Sequence, residues 1–303
     1  MEPAIMSYCL QNALPEDEQT MERILYLAGK EDIENVEVYG GQWPFEGDVR
    51  KAAESLRKIS DDAGVKLPVY GSGTRLGEVG PQRRSNMNLL KQEVEACAIL
   101  GGTVLTFPVI DGQPVPPDQP SAPIGIRFER MLPALVEQVQ ELADHAARHD
   151  VEIAVLNHCF LVYLGWHQKW IVRLAERANA GACVDPGNYL HYGSQEPVGV
   201  CEELAQMAKM VRAGDVEPVP EEEVISVFKE SGPFNLWRGA QFGEGIMDQD
   251  ACYRNLAEGG YTGFVSLKTA GSSPEGARTA IRRSWKTLGD LLRREAVARS
   301  VKQ

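Results

Sequence analysis

The chain has 303 residues, 43% of them hydrophobic and 24% charged, the balance of a folded globular protein and not of a disordered or fibrous one. A formal net charge of −12 argues against nucleic acid or an anionic membrane as a partner, since both need a basic footprint. The six cysteines, at 9, 97, 159, 183, 201 and 252, form no CxxC pair, which disfavours a cysteine zinc site or a disulfide framework and makes a reducing, cytoplasmic location the expectation.

No basic, apolar leader opens the sequence, and no run approaches the ~18 apolar residues of a membrane helix, so a signal peptide and a transmembrane segment are not expected. In chain order, short apolar runs predict strands at Ala4 to Leu10, Val36 to Tyr39, Lys66 to Tyr70, Thr103 to Val109, Glu152 to Leu156, Ala182 to Asp185, Met210 to Ala213 and Phe264 to Lys268. Helical periodicity lies between them, at Glu16 to Leu27, at Asp48 to Ala63 closing on Gly64, and at Met131 to His149. Two stretches read as long loops: 111–126, rich in proline, and 215–245, which holds the acidic run EPVPEEE. The run from Gly239 to Gly245 reads as a tight turn before a helix, because no Gly-Lys-Ser/Thr follows to make a phosphate loop.

Strands that are not strictly alternating suit a parallel sheet buried on both faces, and eight βα repeats fit a closed (β/α)₈ barrel of one domain, 1–303, better than an open doubly wound sheet. In such a barrel the C-terminal strand ends converge on one mouth. Here they carry Glu37 and Tyr39, Tyr70 with Arg75, Asn157 and His158, Asp185 and Asn188, Arg212 and Asp215, and Lys268.

Three motifs at these ends, DVEIAVLNH, VDPGNYLHYG, and WRGAQFGEGIMD followed by GGYTGFVSLK, resemble in order and spacing those of the xylose isomerase-like barrels, which include sugar phosphate isomerases and epimerases, endonuclease-IV-like proteins and inosose dehydratases. The resemblance covers nearly the whole chain. It implies a sugar isomerase, epimerase or lyase, a carbohydrate ligand, a homo-oligomer, and a Mn, Mg, Co or Zn ion held by Glu, Asp, His and Glu. Of those four positions only Asp185 matches; the others carry Leu156, Arg212 (within MVRAGD) and Lys268. Leucine has no lone pair and the two cations only donate, so no metal cofactor is expected.

A three-carboxylate site with a divalent ion carries about −1, whereas Asp185 with Arg212 and Lys268 carries about +1, which predicts a taste for anions such as a sugar phosphate or sugar acid. Lys268 or Arg212 is expected to pair with Asp185 in the cation's place. The candidate catalytic residues are Lys268, as base, electrostatic stabiliser or imine-forming amine, with Asp185, His158 and Glu37; the candidate substrate contacts are Arg212, Asn157, Asn188, Tyr70, Trp237 and Arg238.

Other readings stay open. Asp185, Arg212 and Lys268 can instead form an ion-pair network that only plugs the barrel, Glu37 can brace an Arg or Lys, and His158 can be a hydrogen-bonded rim residue. Asn188, Tyr189 and His191 read as loop residues shaping the pocket, and Trp43, Trp166 and Trp237 as either a wall for a sugar face or core. The chain is then a metal-free enzyme, a non-catalytic sugar-binding or partner-subunit homologue, or a metal enzyme with ligands relocated to Glu37, His158, Asp185 and Glu244.

Overall fold

The computed structural model describes the chain except residues 44–46, 113–123, 159–160, 194, 226–235, 270–272 and 303, and gives the backbone alone at 124 and 299–302. Eight parallel strands close on themselves: β1 (Glu2–Met6), β2 (Asn35–Tyr39), β3 (Lys66–Gly71), β4 (Val104–Phe107), β5 (Glu152–Leu156), β6 (Ala180–Val184), β7 (Ala208–Ala213) and, after a two-stranded excursion β8 (Asp215–Pro218) and β9 (Trp237–Ala240), the closing β10 (Phe264–Leu267). β1 pairs with both β2 and β10, which decides for the barrel over the open sheet.

Period-two alternation explains why the strands read as unbroken apolar runs. Along β5, Ile153 and Val155 belong to the large core beneath the helices, while Ala154 and Leu156 belong to a small cluster with Val69, Val104, Cys183 and Met210 that fills the barrel. Above that plug the inward positions turn polar: Glu37, Thr106, Arg212 and Ser266 are all buried.

The helices are α1 (Ser7–Gln11), α2 (Met21–Lys30), α3 (Val49–Ala63), α4 (Gly80–Ile99), α5 (Ile124–Ala146), α6 (Gly165–Ala175), α7 (Pro186–Gly193), α8 (Pro197–Leu204), α9 (Gln249–Glu258) and α10 (Pro274–Lys302). α3 shows why its ends were legible: the Asp48 side chain accepts from the amides of Arg50 and Lys51, and Gly64 takes the left-handed φ of +70° that ends the helix.

Four sequence expectations change. The first strand stops at Met6 instead of Leu10, and α1 follows it, because Ser7 leaves the strand to accept a hydrogen bond from the Tyr39 amide at the end of β2. The helix expected at Glu16 to Leu27 is a short 3₁₀ turn (Glu16–Glu18) and then α2, which Thr20 caps by accepting from the Arg23 amide. α5 begins at Ile124, inside the expected 111–126 loop, most of which lies outside the described residues. The 215–245 stretch holds the antiparallel pair β8 and β9, with its 226–235 segment also outside them. Among the described residues no helix is long and apolar enough to cross a membrane.

Candidate functional site

Two buried ion pairs occupy the upper barrel. Arg212 on β7 reaches across to β2 and donates from Nη2 to Glu37 Oε1 at 2.5 Å and to Thr106 Oγ1 at 3.0 Å. Glu37 is fully buried and Arg212 nearly so. Room for the pair comes from Gly71, where a Cβ would sit 2.8 Å from Glu37 Oε1 and 3.1 Å from Arg212 Nη2. Burial, the largest influence, pushes the guanidinium pKa down; the charge and hydrogen bond of Glu37, together with Cys183 and Asp185, outweigh it, and the pKa is raised. Glu37 Oε2 and Arg212 Nε find no hydrogen-bond partner among the described protein atoms.

The second pair joins Lys268, just past β10, to Asp185, just past β6; Lys268 Nζ also donates to Asn188 Oδ1 at 2.9 Å. Asp185 is fully buried and the Lys268 side chain is 22% exposed. That residual exposure opens onto a cavity of about 220 Å³ lined by Tyr8, Asn188, His191, Tyr192, Lys268 and Thr269 together with Gly214 to Val216 and Gly239 to Gln241. This is below the ~300–1,000 Å³ typical of drug-sized ligands, so the cavity suits a small molecule.

One carboxylate fastens part of this lining. Asp215 Oδ2 accepts from the Gly243 and Gly245 amides, both at 3.0 Å, and Oδ1 accepts from Val216 at 2.9 Å and Met247 at 3.4 Å. The Gly-Glu-Gly run is therefore a tight turn, as its sequence predicts, and Gly245 is required there because a Cβ would lie 2.2 Å from Asp215 Oδ1.

The structure thus brings Asp185, Asn188 and Lys268 together at the cavity and seats Glu37 with Arg212 beneath it. The other expected contacts go elsewhere. Asn157 is fully buried and spends its amide between strand ends, donating to the Asp185 carbonyl at 2.8 Å and accepting from the Asp185 amide at 3.0 Å. Tyr70 is buried against Trp43, its hydroxyl has no hydrogen-bond partner among the described residues, and it does not line this cavity. Trp237 and Arg238 lie on β9 outside the cavity lining, Arg238 paired with Glu217 at 2.7 Å in an exposed ladder contact. Trp166 packs on Phe128 and His167, so the three tryptophans make no common wall. Asn188, Tyr189 and His191 belong to the helix α7, not a loop, and Tyr189 is a core residue bonded to Gln168.

His158 stacks obliquely on Tyr192, centroids 5.0 Å apart. Burial, reinforced by the Lys268 and Arg212 charges, drives its pKa down to about 4, so the ring is neutral at pH 7. Its imidazole resonances are expected to stay flat from pH 5.5 to 8 in a proton NMR titration; an inflection near the ordinary ~6.5 would show that the ring is solvated instead.

The sequence reading missed Tyr8, Gln241 and Thr269. Tyr8 was absorbed into an over-long first strand, although its place directly after β1 puts it at the mouth.

The family model for xylose isomerase-like TIM barrels matches residues 27–290. The chain belongs to that family. No curated protein matches it. Among solved structures the fold is similar to that of the IOLI protein determined with a zinc atom, at 18% identity and TM-score 0.71 over 97% of this chain and 99% of that one. It is also similar to the 3-keto-D-glucoside 4-epimerase YcjR from E. coli, at 14% identity and TM-score 0.69 over 96% and 99%. D-psicose 3-epimerase determined in the presence of D-fructose matches at 14% identity and TM-score 0.67, again over 96% and 99%.

Against the metal site that the family resemblance implies, the donor set is the point of departure. Leu156 is part of the apolar barrel plug, Arg212 and Lys268 present protonated nitrogens, and the one matching carboxylate, Asp185, is committed to Lys268. These residues do not fit a divalent cation. Nor does the structure assemble the relocated set of Glu37, His158, Asp185 and Glu244: Glu37 is taken by Arg212, and Glu244 pairs with Arg283 where both are largely exposed.

Proposed function

We propose that this member of the family binds a small, uncharged sugar derivative at the barrel mouth without a divalent metal, the Lys268 ammonium standing where the relatives' chemistry would need a cation. The supporting observation is the Asp185–Lys268 pair opening on the cavity. An ammonium has three donors; Asp185 and Asn188 take two, and the third is available to a ligand hydroxyl or carbonyl oxygen. Held as a donor, it suits polarising an oxygen rather than forming an imine.

The expected preference for anions is revised by Glu37. With Arg212 neutralised by that carboxylate, the four charged groups sum to about zero, which favours a neutral sugar over a sugar phosphate or acid. Glu37 and Asp185 are also buried in ion pairs and Asp215 is held by four backbone amides, leaving none of these three strand-end carboxylates open to act as base; this favours binding without turnover over isomerisation.

Calorimetric titration with neutral ketoses and aldoses and with their phosphates tests the reading. Neutral sugars are expected to bind in preference, and Lys268→Met to weaken binding by about tenfold or more, the worth of one charged hydrogen bond. Exchange of the sugar's α-proton in deuterated water would instead establish catalysis. Elemental mass spectrometry is expected to find no metal that Asp185→Ala removes; one such metal per chain would sink the metal-free reading.

A further inference from the structure

We infer that the chain carries a zinc-type cation site away from the barrel mouth, formed by Glu95 of α4 with His145 and His149 at the end of α5. His145 lies in the last turn of α5, and His149 follows four residues later in the 3₁₀ turn Ala147–His149 that continues it, so both rings project from one face. Their centroids are 4.9 Å apart. α4 packs against this turn and supplies Glu95, and one donor atom from each of the three residues falls within 4.8 Å of the others.

The spacing favours a shared ion over direct bonding. His145 Nε2 and Glu95 Oε1 stand 3.7 Å apart, too far for a hydrogen bond, and Nε2 is buried with no hydrogen-bond partner among the described residues. Bonds of about 2.0–2.1 Å at tetrahedral angles would hold two ligand atoms about 3.3 Å apart, so small side-chain rotations close the set. Two imidazoles and a carboxylate are the donors a borderline cation prefers, and three protein ligands leave a fourth position for water. The side chains of His145 and Glu95 are 12% and 31% exposed, shielded yet reachable.

Neighbouring charges set the competition. Lys91 is engaged with Glu141 at 2.6 Å, and the Arg148 guanidinium donates to His145 Nδ1 at 2.9 Å. A ring ligating through Nε2 would carry its proton on Nδ1, so this exposed arginine contact must be released, at small cost.

The position also defines the role. His149 lies three residues before the start of β5 and Glu95 lies near the end of α4, before β4, so the cluster sits at the N-terminal end of the barrel, opposite the mouth, where a barrel's residues serve stability rather than chemistry. The cation would staple α4 to α5.

Titration of metal-free protein with zinc, and with cobalt read by its visible ligand-field bands, tests this. About one ion per chain is expected, with a rise in melting temperature; His145→Ala and His149→Ala should each weaken binding about 100-fold or more, since even outer partners of metal ligands are worth 10–100-fold, while Asp185→Ala leaves it intact. Absence of binding to the wild type, or equal binding by the double histidine variant, overturns the site. Metal lost on Asp185→Ala but kept by the histidine variants would overturn both this inference and the metal-free reading of the mouth, whereas metal lost only with the histidines upholds both.

Discussion

Arg212→Met is expected to lower the unfolding free energy by about 3–5 kcal/mol, because it strips a fully buried carboxylate of its counter-charge. Glu37 is fully buried, its Oε2 lacks a hydrogen-bond partner among the described residues, and Lys268 is committed to Asp185. Thr106 loses its hydrogen bond to the guanidinium at the same time. The companion Glu37→Gln with Arg212→Met removes both charges, and most of the loss should return, since a desolvated pair contributes far less than the damage done by halving it. Denaturant unfolding of the two single variants and the double measures this. Losses that simply add would show that Glu37 and Arg212 do not stabilise one another.

Glu93 gives the second large effect, this time with pH. It is buried on α4, where its carboxyl accepts hydrogen bonds from the Ser72 and Thr74 hydroxyls above β3. Burial pushes its pKa up from 4.5 to about 7, the hydroxyls opposing the rise without cancelling it. The folded chain therefore holds this proton more tightly than the unfolded chain. The associated stability is fully present below about pH 4.5 and lost as pH climbs through about 7, a swing of about 3 kcal/mol at ~1.4 kcal/mol per unit. Glu93→Gln, an uncharged near-isostere, should remove that dependence: the stability difference between wild type and variant should move by this amount from pH 4.5 to 8. A difference constant across the range would place the carboxylate in contact with water.

The barrel was legible because its strands obey one rule, apolar on both faces, and β5 occupies the expected Glu152–Leu156. Where the same apolar signal continued into a buried five-residue helix, at Cys9 and Leu10, hydrophobicity could not separate helix from strand. The site was legible in part. That Lys268 or Arg212 would pair with Asp185 followed from the metal positions the resemblance implies and the charge they carry here, and Lys268 does so. Charge could not say that Arg212 would face β2, since β2 and β7 are not neighbours in the sheet and meet only across the barrel interior. The bracing role considered for Glu37 describes its geometry, and the net charge expected without it was one unit too positive. Trp237 and Arg238 lie outside the cavity lining because the stretch read as loop holds the strand β9, of which only the Gly239–Ala240 end lines the cavity.

The fastening of Asp215 to four backbone amides bears on what the cavity can admit. The turn that continues β9 cannot be displaced without surrendering several bonds to one buried acceptor, and Lys268 in the same lining is held by its contacts with Asp185 and Asn188. For the sugar proposed above, a lining held this way is expected to select by shape: a guest matches the space as it stands, and one a single substituent too large is expected to be refused rather than accommodated.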